Sequence, residues 1–551
     1  MEARTSYATK RVGALPLLAG FLEDLKIGEI VDEVVPWEGT VPLGTLVEIL
    51  VLSRLLNPKA LYKIGDWAGK TWVADYYGVP VEELNDDRLG RALERLHEYG
   101  EAVQVRLVLH VIREYRLDVS QIHYDISNAE LWGVYERQLE RLQQKRAAAG
   151  RPAPRPAYGH TKSGRKNVKQ IQFGVNVTRD GAVPLGHLAL DGNAAEAPTH
   201  LENLRLLSRL LPRRRWLYMA DTKGDTPETL LAIAAAKGEF ICGGVFQPHL
   251  KQQYLGLREE MEDADYCPKS QRHPPPEERD HYKVAERWER LEGYVDGRQV
   301  RLKYRMIFVW SEAKADQQAK TRERHVAKIR EEFEKVQRNL NKYKLKTEEE
   351  IRRRLEGARS KYDEGALFDY RLERRRDKKF ELTWWIDEAA RKEWEALEGA
   401  YVLKTNAAKG VYPAAKVLAE YKQQIHVERR IGNLKGPLAL TPMFLEKPER
   451  ISGLLFVLMW ALMVVALMER AVRRNLRGEP MYGLYPENRP SPAPTGRAIL
   501  ECFEDLAIVI AKQNNEIHRQ LCDLSPVQQK LVKLIGLPPN RLRAFRRQCG
   551  A

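Results

Sequence analysis

QIHYDIS, residues Gln121–Ser127, is the stretch on which the fold turns. Ile122, Tyr124 and Ile126 alternate with His123 and Asp125, the two-residue period of a strand with one apolar face. A carboxylate on the other face of such a strand needs a chemical reason. Up to about residue 116 the period is helical instead: LPLLAGFLEDLKIGEIVDEVV from Leu15, TLVEILVLSRLLN up to Pro58, DDRLGRALERLHEYG and AVQVRLVLHVIREY all carry apolar residues three and four apart. Residues 1–116 are therefore expected to be a helical N-terminal domain serving DNA binding, dimerisation or packing.

After Ser127 a basic helical excursion is expected over 129–147. It is followed by RPAPRPAYGHTKSGRKN from Arg151, a loop rich in Pro, Gly and Lys whose Lys162 suits either phosphate contact or solvation. KQIQFGVNVT alternates Ile171, Phe173, Val175 and Val177. Asp180-Gly181 makes a hairpin turn, and VPLGHLALDG returns. A helix (THLENLRLLSRLL), a basic knot at Arg213–Arg215, a strand (WLYMA) ending at Asp221, a helix (TPETLLAIAAAK) and a strand (FICGGV) complete the series. Three strands, helix, strand, helix, strand is the ribonuclease H-like order: an α/β core with a mixed five-stranded sheet and flanking helices.

That core is expected in two parts, 117–245 and 399–485, interrupted by an insertion domain over 246–398. The insertion combines a hairpin around Asp296-Gly297, a charged helical arm from about Lys314 to Tyr362, and the strand KFELTWWID. AYVLKTN reads as a strand. Residues 486–551 are expected to be a Pro-rich linker, PENRPSPAPTGR, and a helical C-terminal tail with a basic end. Ile451–Met468 is apolar and long enough to suggest a membrane span, but charged residues flank it on both sides, so a helix buried inside a globular domain is expected.

YKQQIHVERRIGNLK, Tyr421–Lys435, places Tyr421, Glu428 and Lys435 two helical turns apart on one stripe, with Gln424 near the same face. Taken alone, such a helix is commonly a solvated face. Beside Asp125 in the first strand and Asp221 at the tip of the fourth, Glu428 becomes the third acid of a candidate cluster. Three clustered carboxylates repel unless cations sit among them. Two Mg²⁺ (or Mn²⁺) ions, about 3.5 to 4 Å apart in sites of this type, suit oxygen ligands and in-line phosphoryl transfer. Lys435 and Tyr421 would then steady phosphate oxygens. Asp225, Asp191 and Glu196 are nearby rivals, and His123 and His426, each two positions before an acid, offer a mixed His/carboxylate set as the lesser alternative.

Composition agrees with a polyanionic partner. The 551 residues carry 91 Lys and Arg against 76 Asp and Glu, a net charge of +15, which favours nucleic acid through counterion release. With 43% hydrophobic residues the chain is not a disordered one. Five scattered cysteines without a C-x-x-C pair indicate neither a zinc knuckle nor a disulfide framework. A reducing compartment and no signal peptide are expected, so the chain is read as cytoplasmic, nucleoid-associated and free of membrane.

These residues resemble the DDE transposases of bacterial insertion sequences, in the insertion-sequence-four-like group. The resemblance runs through HYDIS, YGHTKSGRKNVKQIQFGV, LDGNAAEAPTH, WLYMADTKGD, YVLKTN and VERRIGNLKGPLALTPMFLEKPERISGLL. That group carries Tyr, two residues, Arg, three residues, Glu, six residues, Lys; Tyr421, Glu428 and Lys435 match, and Gln424 stands at the Arg position. The resemblance implies Asp125, Asp221 and Glu428 as catalytic and metal-binding acids, the interrupted ribonuclease H-like fold, dependence on divalent metal, and transposition of double-stranded DNA by a homodimer in a synaptic complex. Gln424 lacks the cationic fork of Arg, so phosphate contact there is expected to be weaker or to pass to Arg429 or Arg430. Thr222-Lys223-Gly224 after Asp221 also departs from the group. Two other readings stay open: a catalytically idle DNA-binding relative, and a metal-dependent nuclease without strand transfer.

Overall fold

The computed structural model describes residues 6–132, 135, 153–159, 164–165, 167–212, 215–267, 280–513 and 516–536. Lys162, His160, most of the excursion expected over 129–147, Arg213 and Arg214 of the basic knot, and the basic C-terminal end lie outside them. The fold is mixed α/β. The chain divides into two units, residues 1–239 with 423–551, and residues 240–422.

The first unit opens with β1 (Ser6–Arg11) and then turns helical. Its longest N-terminal helix, Asp86–Glu114, starts where the Asn85 side chain accepts from the Arg88 amide, and it buries the stripe Leu89, Leu93, Leu96, Val103 and Leu107. Strands β2 (Gln121–Leu131), β3 (Lys169–Thr178), β4 (Pro184–Leu190) and β5 (Leu217–Ala220) follow. β2, β3 and β4 form an antiparallel meander, β5 runs parallel to β2, and the order is β4-β3-β2-β5. β2 is longer than expected: residues 129–131 extend the strand because Ala129, Glu130 and Leu131 still find partners on β3.

The second unit contains β6 (Glu239–Gly244) from Phe240 onward, β7 (Glu262–Asp263), β8 (Tyr282–Val295), β9 (Arg298–Ser311), β10 (Phe368–Arg374), β11 (Phe380–Ile386) and β12 (Ala400–Thr405). One sheet there runs β6-β12-β9-β8-β7. FICGGV, read from sequence as the last strand of the core, pairs antiparallel with β12, Ile241 opposite Thr405. The charged run from Lys314 is two helices, Glu312–Arg338 and Glu348–Arg359. They are not a bare arm. Val326, Ile329, Phe333, Ile351 and Leu355 pack against Phe368 and Leu382 of the β10–β11 hairpin in a small core of their own.

Back in the first unit, the apolar stretch forms the helix Pro448–Leu476. Among the described residues it is the one helix long and apolar enough to cross a membrane, and its apolar window is wholly buried inside the protein. It packs on Asp86–Glu114, on the helix Leu43–Leu56 and on β4. Gly453 makes the closest crossing: a Cβ there would stand 2.0 Å from the Leu93 carbonyl oxygen. Trp460 Nε1 donates to Gln104 Oε1 at 2.7 Å and Gln104 Nε2 to the Leu185 carbonyl at 2.7 Å, so the buried indole and amide are paired. The expected helical tail is corrected in part. β13 (Ala507–Gln513) and β14 (Glu516–Leu521) form a hairpin whose first strand pairs with β1, and a helix, Pro526–Ile535, comes only afterwards. Val509 and Ile510, β-branched like Ile508 and Ile517, supply the strand propensity that a linker-and-helix reading overlooks.

Candidate active site

Asp125 lies in β2 and Asp221 directly follows β5. The parallel pairing of these strands sets His123 beside Met219, and the same register continued two residues brings Asp125 level with Asp221. Neighbouring strands are about 4.8 Å apart, so the two residues stand at the same end of the sheet. Both are half-buried. Asp125 Oδ1 accepts from the Ile126 amide at 2.8 Å. Asp221 Oδ1 caps the short turn Thr222–Gly224, accepting from the Lys223 amide at 3.0 Å. Thr222-Lys223-Gly224, the departure noted in the sequence, is thus the turn that holds this carboxylate.

Beneath the acids, on the face carrying Tyr124, is a buried polar network. The Tyr124 and Tyr218 rings stack with centroids 6.2 Å apart. His200 Nδ1 lies 3.0 Å from the Tyr218 hydroxyl, Asn203 Nδ2 donates to that hydroxyl at 3.2 Å, and the Asn176 and Asn203 amides exchange two hydrogen bonds. Gly174 leaves room for the Tyr124 ring, since a Cβ there would meet its hydroxyl at 2.2 Å. Burial pushes the Tyr124 phenol up, and the charges of Glu202, Asp125 and Asp221 push the same way. Both aspartates therefore act on one phenol. Sequence reasoning missed this network; its signal is the pair His200 and Asn203, polar residues three apart on the otherwise apolar face of THLENLRLL.

His123 lies on the opposite face of β2, and by the alternation of the strand Asp125 shares it. The helix Ile425–Lys435 covers β2 and β3. His123 Nδ1 is 3.0 Å from Gln424 Oε1, and Gln424 Nε2 donates to the Tyr124 carbonyl at 2.7 Å. Desolvation pulls the buried His123 imidazole down to about 4.

The expected helical stripe is interrupted. Tyr421 ends the helix Ala414–Tyr421 in the second unit, and a 3₁₀ turn, Lys422–Gln424, separates it from Ile425–Lys435, so a single helical register does not relate Tyr421 to Glu428. Glu428 and Arg429 are exposed in the first turns of that second helix. Lys435 Nζ donates to Asn128 Oδ1 at 3.2 Å. Two other residues expected to touch DNA are buried on internal partners. Gln424 is buried with both ends of its amide engaged. Arg430, 3% exposed, pairs with Glu469 at 2.9 Å and donates to the Ala182 and Gly181 carbonyls. Of the two arginines proposed to take over phosphate contact, only Arg429 faces solvent.

Among the described residues no three His, Cys, Asp or Glu side chains gather closely enough to hold a metal ion. Asp125 and Asp221 supply hard oxygen ligands of the kind Mg²⁺ takes, but Glu428 does not complete a three-acid centre with them, and neither His123 nor His426 does so as the alternative ligand. His123 is already bonded through Nδ1. A separate concavity of about 840 Å³ opens in the first unit, lined by Arg11, Lys59, Lys63, Lys70 and Arg497 among others, and none of the three acids borders it.

No curated protein matches the chain. Residues 7–108, the strand β1 and most of the N-terminal helices, are similar to a domain of unknown function, DUF4277, which is found in transposase-like proteins.

Proposed function

We propose that the chain is a DDE-type DNA transposase that cleaves double-stranded DNA at the ends of an insertion sequence and joins the freed 3′-hydroxyl to target DNA. The observation that carries this reading is the placement of Asp125 in β2 and of Asp221 at the end of the adjacent parallel strand β5, with the Glu428 helix tied to β2 through Gln424. The N-terminal similarity to a domain of transposase-like proteins and the net charge of +15 support it. Asp125, Asp221 and Glu428 are the proposed catalytic acids, and Mg²⁺ or Mn²⁺ the proposed cofactor. The three acids do not gather as one centre, and the chain's own residues bind and orient the DNA. Asp125 and Asp221 fix the reacting end of the sheet, Gln424 positions the Glu428 helix over it, and Arg429 and Lys435 meet the phosphate backbone. The proposed setting is a homodimeric synaptic complex acting on terminal inverted repeats and target DNA in the cytoplasm.

The separation of Glu428 from the two aspartates favours one second reading, a DNA-binding relative without turnover. Strand cleavage of inverted-repeat DNA in the presence of Mg²⁺ separates the two. The parent protein is expected to cut and to yield joined products, and Asp125→Ala, Asp221→Ala and Glu428→Ala to abolish both while retaining DNA binding. Binding without products in the parent supports the idle relative; cleavage by all three variants at the parent rate refutes the acid assignment.

A further inference from the structure

The hairpin β8–β9 pairs over its whole length, from Tyr282 opposite Ser311 to Val295 opposite Arg298, and turns at Asp296-Gly297. Residues 282–311 contain Lys283, Arg287, Arg290, Arg298, Arg301, Lys303 and Arg305 against Glu286, Glu289, Glu292 and Asp296. The two faces of its outer half differ. Leu291, Val295, Val300, Leu302 and Tyr304 are partly or fully covered, whereas Trp288, Arg290, Glu292, Tyr294, Gln299, Arg301 and Lys303 are all exposed. Alternation along each strand places the second set together on one face.

That face is poorly explained by folding alone. Arg290 and Lys303 are directly opposite each other in the register, an arrangement in which like charges repel. Neither has an acidic partner among the described residues; Lys303 instead lies 4.4 Å from the centroid of the Trp288 ring. The acid of the face, Glu292, sits beside Arg301 at 3.5 Å. Two aromatic rings, Trp288 and Tyr294, remain 48% and 76% exposed. A polyanion would relieve the repulsion, and a two-stranded ribbon fits the major groove of duplex DNA, about 12 Å wide.

We propose that the exposed face of the β8–β9 ribbon, carrying Arg290, Arg301, Lys303, Trp288 and Tyr294, is a contact surface for double-stranded DNA and lies along a groove with its cations on the phosphates. This deepens the reading of DNA as the substrate and rests on it for the partner's identity, but it requires nothing of the acids.

The test is binding of the full chain to a fluorescent duplex, and to one of its strands alone, across a salt series, with Arg290→Gln combined with Lys303→Gln. Removing two opposed cations is expected to leave the thermal unfolding midpoint unchanged or raised. It should weaken duplex binding at least tenfold and lower the salt-dependence slope by about two contacts' worth. Undiminished affinity and slope in the folded variant overturn the proposal. Loss confined to single-stranded DNA overturns the groove assignment. Asp125→Ala, run alongside, keeps the two ideas apart: ribbon variants that lose binding while Asp125→Ala binds normally uphold the ribbon even if no cleavage is found in the parent. A parent that binds no duplex refutes both.

Discussion

His123 Nδ1 and Gln424 Oε1 lie 3.0 Å apart and tie the strand that carries Asp125 to the helix that carries Glu428. Because Gln424 Nε2 donates to the Tyr124 carbonyl, its oxygen is the acceptor and the imidazole donates from Nδ1. His123 Nε2 is then a bare acceptor, buried without a partner among the described residues. A single glutamine thus bonds a side chain and a main-chain carbonyl on consecutive residues of β2.

Truncating this clamp is expected to be costly. Gln424→Ala leaves the Tyr124 carbonyl and the His123 donor unsatisfied in the interior, where each loss costs about 1–3 kcal/mol. Urea unfolding measures it, and a variant as stable as the parent refutes the positioning role. Gln424→Arg, which restores the residue of the resembled group, is expected to lower stability as well, since the guanidinium enters a site already filled by paired groups.

Stability should depend on pH through two histidines. Desolvation holds both His123 and His200 at about 4 in the folded protein, below the ordinary 6.5. Between these values the unfolded chain binds protons that the folded one refuses, so the stabilising neutral state is fully present above about pH 6.5 and stability falls as pH drops toward 4. Two such groups together give a slope of up to about 2.7 kcal/mol per pH unit in that window. Denaturation midpoints at pH 7, 6 and 5 check this, and His123→Gln should flatten the slope by about half. A parent whose stability is constant over that range contradicts the burial of both rings.

Strand periodicity made β2 through β5 legible, because Ile122, Tyr124 and Ile126, and Ile171, Phe173, Val175 and Val177, each keep one face apolar. Asp125 and Asp221 were legible as acids in a strand and at a strand tip, and register turned them into a pair. Gln424 and Arg430 were misplaced because helical spacing fixes which residues share a stripe but not what covers it, and a 3₁₀ turn at Lys422–Gln424 broke the assumed register. The network of Tyr124, Asn176, His200, Asn203 and Tyr218 joins three strands and a helix far apart in sequence, contacts that local patterning does not carry. The charged helices from Glu312 onward hid their core for a related reason: Val326, Ile329 and Phe333 form a narrow stripe diluted by Lys, Arg and Glu on every side.

The crossing at Gly453 sets how closely the buried helix approaches the N-terminal helices. Gly453→Ala places a Cβ against the Leu93 carbonyl, a backbone atom that cannot swing aside. Such overpacking is expected to cost about 1–3 kcal/mol or more, even though alanine favours the helix by close to 1 kcal/mol. An alanine variant with a raised unfolding midpoint would show that the helices part without penalty.

Arg430 and Glu469 form the other tie between the candidate site and the interior. Their side chains are 4% and 5% exposed, and Glu469 also receives Arg473 at 3.1 Å and the Gly496 amide at 2.6 Å. Burial pulls the Arg430 guanidinium down and the Glu469 charge opposes that pull, so the carboxylate offsets the cost of keeping a cation in the interior. Glu469→Ala removes that partner and strands a cation in the core, with an expected loss of about 3–5 kcal/mol. Arg430→Met combined with Glu469→Leu removes both charges at similar volume, and most of the loss is expected to be recovered, although the Gly496 amide and the Ala182 and Gly181 carbonyls are left without these partners. Chemical unfolding of the parent, of Arg430→Met and Glu469→Leu singly, and of the double variant yields the coupling directly. Losses that simply add would mean the two charges do not compensate each other in the folded protein.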